Sequence, residues 1–164
     1  MLIAVEGTSD RTALELLARR LGRDLAAEGI AIVPIGGAHA IRRFVAGLER
    51  GTQVRGLCDE REVHLFRRVL AEVYVCVPDL EGELIRALGV EGVLAIVDAE
   101  SFRKMQQQPA QRGRPVEQQL HRWLRSSNLR YQRYLPLLVE ALDLDRVPAP
   151  LSDVLARRRP SPDT

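Results

Sequence analysis

The sequence predicts an α/β fold: a mainly parallel four-stranded sheet flanked by helices, with a C-terminal helical extension. Three observations carry this expectation. Four short apolar runs are each followed by apolar residues at helical spacing, turn and cap residues sit at the junctions, and the alternation stops after about residue 90. Such strand–helix repeats build βαβ units with right-handed crossovers.

The elements follow in order. Leu2-Ile3-Ala4-Val5 is a continuous apolar run typical of a strand buried on both faces. It ends in Glu6-Gly7-Thr8-Ser9-Asp10, which is turn and cap chemistry. Ala13, Leu14, Leu17, Ala18 and Leu21 then mark a helix closed by Gly22. Ile30 to Ile35 reads as a second strand, with Pro34 placing its end at a sheet margin. Gly36-Gly37 turns into a helix bearing Ile41, Phe44, Val45 and Leu48. Val54 to Cys58 is the third strand, stopping at Asp59, and Val63, Phe66, Val69 and Leu70 follow on a helix. Val73 to Val77 is the fourth, after which Asp79 caps a helix with Leu80, Leu84, Ile85 and Leu88. Residues 91–100 and 116–125 look helical, as does Tyr134 to Leu144. The organisation predicted is an α/β core over 1–90, a helical extension over 91–156 packed on that core, and a flexible tail over 157–164.

Composition narrows the function classes. The chain has 164 residues and 18.4 kDa, 46% hydrophobic and 28% charged, which excludes a disordered polymer and suits one ordinary core. Its net charge of +2 hides an asymmetry. Residues 1–100 carry 12 arginines against 16 acids, whereas residues 101–135 carry eight basic residues against Glu117 alone. That segment suits a polyanion partner. No run approaches a membrane span, and Glu6 interrupts the first apolar stretch too early for a signal peptide. Cys58 and Cys76 lie in apolar strands without metal-ligand spacing, as expected of a reduced, cytoplasmic chain.

In an open parallel sheet, ligands bind beyond the carboxyl ends of the strands. Three of the four predicted strands deliver acids there: Glu6 and Asp10 after the first, Asp59, Glu60 and Glu62 after the third, and Asp79, Glu81 and Glu83 after the fourth. Carboxylates gathered at one edge raise one another's pKa unless a cation offsets them. An all-oxygen donor set selects Mg²⁺, Mn²⁺ or Ca²⁺ over zinc. Asp10 and Asp79 also suit helix-capping roles. Arg103, Lys104, Arg112, Arg114, Arg122, Arg125, Arg130 and Arg133 form a basic face suited to phosphates, and Trp123, Tyr131 and Tyr134 read as core aromatics rather than stacking platforms. His39, His64 and His121 are too scattered for a zinc site.

The run Leu2 to Asp10 with its Glu-Gly-x-x-Asp opening, the Ile35-Gly36-Gly37 turn, strand-terminal Asp59 and Asp79-Leu80-Glu81 together resemble the Toprim domain of OLD-family (overcoming lysogenization defect) nucleases. The likeness covers roughly residues 1–90. Less specifically, Gln108 to Gly113 resembles the helical tail of the same group. The resemblance implies a divalent-metal-dependent DNA endonuclease or nickase using one or two Mg²⁺ or Mn²⁺ ions. It assigns Glu6 as metal ligand and acid/base, and Asp10, Asp59 and Glu81 as further ligands; apart from the resemblance, Lys104 or Arg112 in the basic stretch suits charge developing on phosphorus. One departure stands out: the second aspartate of the Asp-x-Asp motif falls at Arg61, and a guanidinium cannot ligate a cation, so Glu62 or Glu60 would have to serve. The chain also carries no Gly-x-x-x-x-Gly-Lys-Ser/Thr phosphate loop, which leaves the usual ABC-type ATPase to a separate chain or dispenses with it. The expected partner is DNA, or RNA, contacted along Arg103, Arg112, Arg114 and Arg122. The alternative is a non-catalytic module of the same fold that binds nucleic acid or an ATPase partner. A receiver-like phosphoacceptor would need paired acids after the first strand, and Glu6-Gly7 supplies one.

Overall fold

The computed structural model describes residues 1–156; the tail expected over 157–164 lies outside them. Four strands, β1 (Leu2–Val5), β2 (Ala31–Pro34), β3 (Val54–Asp59) and β4 (Glu72–Cys76), form one sheet in the order β2-β1-β3-β4. Every pairing is parallel. Pro34 sits at the last position of edge strand β2, opposite Val5, where a missing N–H is tolerated.

The connecting helices are α1 (Thr8–Arg20), α2 (Ile41–Ala46), α3 (Val63–Arg67) and α4 (Leu80–Ile96), and the extension adds α5 (Ala99–Gln106), α6 (Val116–Arg125), α7 (Asn128–Glu140) and α8 (Ala149–Leu155). Alternation along the strands divides the core into two layers, because successive side chains of a strand point to opposite faces. Ile3, Val5 and Leu57 join α1, α4 and the extension's Leu120, Trp123, Leu138 and Leu151 in the larger cluster. Ala4 and Cys58 face the smaller one with Ile41, Phe66 and Leu70. Extension and sheet therefore share a single apolar interior.

Several boundaries differ from the sequence reading. The helix after β4 continues through residue 90 to Ile96, with a break at Gly89 (φ 72°, ψ 164°), and α5 starts only at Ala99, where Asp98 caps it. Helix α7 begins at Asn128 rather than Tyr134, because Ser127 caps it there. Its Tyr134 is buried as expected, and the hydroxyl accepts the Asp98 N–H at 3.1 Å. Helix α8 is a helix that the sequence pattern does not predict. It is seven residues long, and the core holds its end: buried Arg55 donates to the Val154 carbonyl at 3.1 Å while pairing with Glu72 at 2.9 Å, and Arg23 donates to the Leu155 carbonyl. Arg20 likewise donates to the Val139 carbonyl near the end of α7, at 2.9 Å. Arginines of the α/β part thus satisfy helix-terminal carbonyls of the extension.

Candidate functional site

The carboxyl ends of β1, β3 and β4 lie side by side in the sheet order, so the residues just past them share one edge. Glu6 leaves β1 and reaches across to β3, where its Oε1 accepts the Asp59 backbone N–H at 2.9 Å. A left-handed turn through Gly36 (φ 79°) and Gly37 (φ 103°) brings the Gly37 N–H to the Glu6 carbonyl at 2.9 Å. The loop after β2, which brings no acid, therefore holds the backbone that does. Asp10, at the third position of α1, accepts the Gly7 N–H at 2.8 Å. The Glu60 N–H donates to the Pro78 carbonyl at 3.1 Å, tying the ends of β3 and β4 together.

The acids that follow β4 divide their work. Glu83 is structural: it accepts the Val77 N–H and the Arg86 guanidinium, each at 2.8 Å. Asp79 caps α4 by accepting the Gly82 N–H at 3.0 Å. A Cβ at position 82 would lie 2.6 Å from Pro78 Cδ, so glycine is what lets this first turn close onto the loop. Asp79 also takes His121 Nε2 on its two oxygens, at 2.7 and 2.8 Å, and the Arg125 guanidinium. His121 and Arg125 are four residues apart on α6, hence on one face. Arg125 lies a further 3.9 Å from the Glu81 carboxylate.

The electrostatics follow from this crowding. Burial, and then the charges of Glu6 and Asp79, push the Asp59 carboxyl up to about 8. Burial and the Asp79 charge raise Glu81 to about 7. Glu6 is raised by burial, opposed by the Asp59 N–H and reinforced by Asp10 and Glu62. Asp10 is raised mainly by burial, in spite of its Gly7 hydrogen bond. Asp79 goes the other way: burial would raise it, but the hydrogen bonds from His121 and Gly82 and the charge of Arg125 hold it below its ordinary value. Tyr131, on α7, is pushed up by burial and by Glu81, Asp10, Asp59 and Asp79, which brings its hydroxyl into the field of the same acids. Burial beside Glu6 and Asp59 raises the Cys58 thiol to about 12, leaving it an inert packing group.

Glu6, Asp10, Asp59, Glu62 and Glu81 thus feel one another as a single acidic pocket, and their all-carboxylate chemistry suits a hard divalent cation. As placed, no three Asp, Glu, His or Cys side chains among the described residues form a cage of metal-ligand size. The ions expected from the sequence would therefore have to draw these acids closer.

Beside the pocket opens a cleft of about 780 Å³ whose charged lining is basic: Arg61, Lys104, Arg122, Arg125 and Arg130, with His121. Of the basic residues singled out in the sequence, Lys104, Arg122, Arg125 and Arg130 line it, Lys104 while paired with Glu100 at 2.8 Å in an exposed contact. Arg103 and Arg114 fold back onto the Ala99 and Ala110 carbonyls, and Arg112 is exposed. Sequence reasoning missed the Asp79–His121–Arg125 cluster and the place of Arg61 on the cleft. Only the spacing of His121 and Arg125 hinted at the first, and nothing local hinted at the second.

Comparison with known proteins agrees with this architecture. Residues 1–56 match the family model for the TOPRIM domain of overcoming lysogenization defect protein-like proteins. No curated protein matches the sequence. Among solved structures, the C-terminal region of the Burkholderia pseudomallei OLD protein superposes with a TM-score of 0.63 at 18% identity, covering 94% of this chain and 93% of that one. The C-terminal region of the Xanthomonas campestris pv. campestris OLD protein gives 0.59 at 17% identity, covering 94% and 91%. The N-terminal 56 residues thus resemble an OLD-like TOPRIM domain, and the described residues share the α/β fold of those C-terminal regions.

Proposed function

We propose that this protein is a divalent-metal-dependent phosphodiester hydrolase acting on nucleic acid, a DNA endonuclease or nickase of the Toprim/OLD type. The observation that carries the reading is the Glu6 carboxylate seated on the Asp59 N–H at 2.9 Å, which joins acids 53 residues apart in one pocket. Glu6, Asp10, Asp59 and Glu81 would hold Mg²⁺ or Mn²⁺, with Glu62 within reach of their field. The ion would supply Lewis acidity to the phosphate and to the attacking water.

The chain's own residues do the rest. Glu6, with its pKa raised, is suited to hold or release a proton beside the reacting phosphate. Arg125, fixed by Asp79, sets a permanent cation between the acidic pocket and the basic cleft, where phosphoryl charge develops. Lys104 and Arg122 extend that field along the strand. An ABC-type ATPase supplied by another chain fits the same reading.

The test is cleavage of supercoiled plasmid in Mn²⁺ by the wild type and by Glu6→Ala and Asp59→Ala. Nicking that both substitutions abolish supports the assignment; nicking that survives them sinks it. Two observations favour a second reading, a binding module without turnover: Asp79 is already paired with Arg125 and hydrogen-bonded to His121, and among the described residues the remaining acids are not closed into a cage. That module would retain DNA without cutting it in any divalent ion.

A further inference from the structure

The acids at the sheet edge are not answered alike. After β4, each carboxylate meets a cation of the chain itself: Glu83 pairs with Arg86 at 2.8 Å, Asp79 pairs with Arg125, and Glu81 lies 3.9 Å from the same Arg125 guanidinium. After β1 and β3 the partners are backbone. Glu6 accepts the Asp59 N–H at 2.9 Å, and Asp10 accepts the Gly7 N–H at 2.8 Å. The Asp59 carboxylate accepts no hydrogen bond among the described residues, and there no Arg, Lys or His side chain lies within ion-pair distance of these three acids.

Asp79 is also fully engaged. A carboxylate offers about four lone-pair sites. Its Oδ1 accepts the Gly82 N–H at 3.0 Å and His121 Nε2 at 2.7 Å, while Oδ2 takes His121 Nε2 at 2.8 Å and the Arg125 guanidinium. Nothing on Asp79 is left for a cation, and Glu81 by itself is one carboxylate with a guanidinium beside it. The helix that carries Arg125 is anchored: Leu120, Trp123 and Leu124 of α6 are buried in the shared core, and Arg125 closes that helix, where positive charge is favoured. A divalent ion lodged between Asp79 and Glu81 would sit against this like charge.

We propose that the pocket takes one divalent ion, held by Glu6, Asp10 and Asp59, and that the Arg125 guanidinium stands in for a second on the β4 side. This rests on the reading that the acids bind Mg²⁺ or Mn²⁺, and it narrows that reading. Glu81 then balances Arg125, and the positive charge that a paired ion would bring to the phosphate comes from the chain itself.

The experiment counts Mn²⁺ bound to the full chain without nucleic acid, by the loss of the free aquo-ion signal in electron paramagnetic resonance. The wild type should saturate at one equivalent, and Asp59→Ala should lose it. Arg125→Lys, which keeps the charge, should also take one. Arg125→Ala frees Asp79 Oδ2 and Glu81 together and should take a second equivalent, which Glu81→Gln added to that variant should remove. The wild-type count keeps the test intact should Arg125→Ala fail to fold. Two equivalents on the wild type, or a single one on folded Arg125→Ala, overturns the proposal and leaves the hydrolase reading standing. A wild type that binds no Mn²⁺ overturns both, so the two failures are distinguishable.

Discussion

The acidic pocket and the basic cleft adjoin, carry opposite charge and are assembled by opposite means. The pocket gathers Glu6, Asp59 and Glu81 from the ends of three strands, so it exists only once the sheet has ordered β1, β3 and β4 side by side. Most of the cleft comes from one stretch of chain, Lys104 to Arg130, with Arg61 contributed from the loop after β3. Asp79 is the joint between them: it caps α4 on the pocket side and grips His121 and Arg125 of α6 on the cleft side. The difference teaches that charge density can be local while charge function is not. A basic segment attracts phosphates wherever it folds, but it aids chemistry only when fixed at a set place beside the acids.

The largest expected effect separates the two regions outright. Glu6→Ala and Asp59→Ala should lower plasmid cleavage by about a thousandfold, the scale of losing several kcal/mol of cation-dependent stabilisation, while leaving DNA retention in EDTA intact. A parallel loss of retention would show that the pocket also builds the cleft.

Asp79→Asn attacks the joint. It keeps a capping oxygen but leaves Arg125 and His121 without their buried anion, and half-exposed Arg125 can turn to solvent, so the loss should be about 1–3 kcal/mol in urea unfolding. No change in stability would mean that the two regions are held together by their apolar core alone.

On the pocket side, acidity can be read as stability. Asp59 and Glu81, held at about 8 and about 7 in the folded chain, release their protons near 3.8 and 4.5 when unfolded. Between those limits the folded state binds more protons, so Tm in chelator should fall as pH rises from about 4 to about 8, and Mn²⁺ should restore it at the upper end. Asp79, held low, acts oppositely and costs stability only as pH drops below 3.8. A Tm that climbs from pH 5 to 8 without metal contradicts the crowded-acid picture.

The cleft side is read by salt. Arg61→Ala combined with Arg122→Ala should reduce the salt dependence of single-strand binding by roughly 1.4 in log–log slope, about 0.7 per lost phosphate contact. An unchanged slope would remove these two arginines from the strand's path. Smallest of all, Lys104→Ala should change stability by under about 0.5 kcal/mol, since its pairing with Glu100 is exposed. A fall in cleavage beyond that would give Lys104 a part in the reaction.

Much of the fold was legible because buried parallel strands write themselves as short apolar runs. Leu2–Val5 matches β1 residue for residue, and 116–125 matches α6, whose apolar face recurs at helical spacing between polar residues. Helix α8 was not legible: it is short, and its stability comes from Arg55 and Arg23, which lie far upstream. In the site, Glu6 and Asp59 could be picked out because each ends an apolar strand. His121 could not, since a single histidine on a helix acquires meaning only from the Asp79 carboxylate 42 residues away.

Sequence by itself determined the class of fold, the parallel pairing implied by alternating strands and helices, the acids at the strand ends and the basic segment after residue 100. Those are properties of short windows, set by period and composition. The tertiary structure alone decided which acids meet, that Asp79 is spent on Arg125 and His121, and that Arg61 turns to the cleft. Charge interactions depend on distance through space and on burial, and a linear order of residues contains neither.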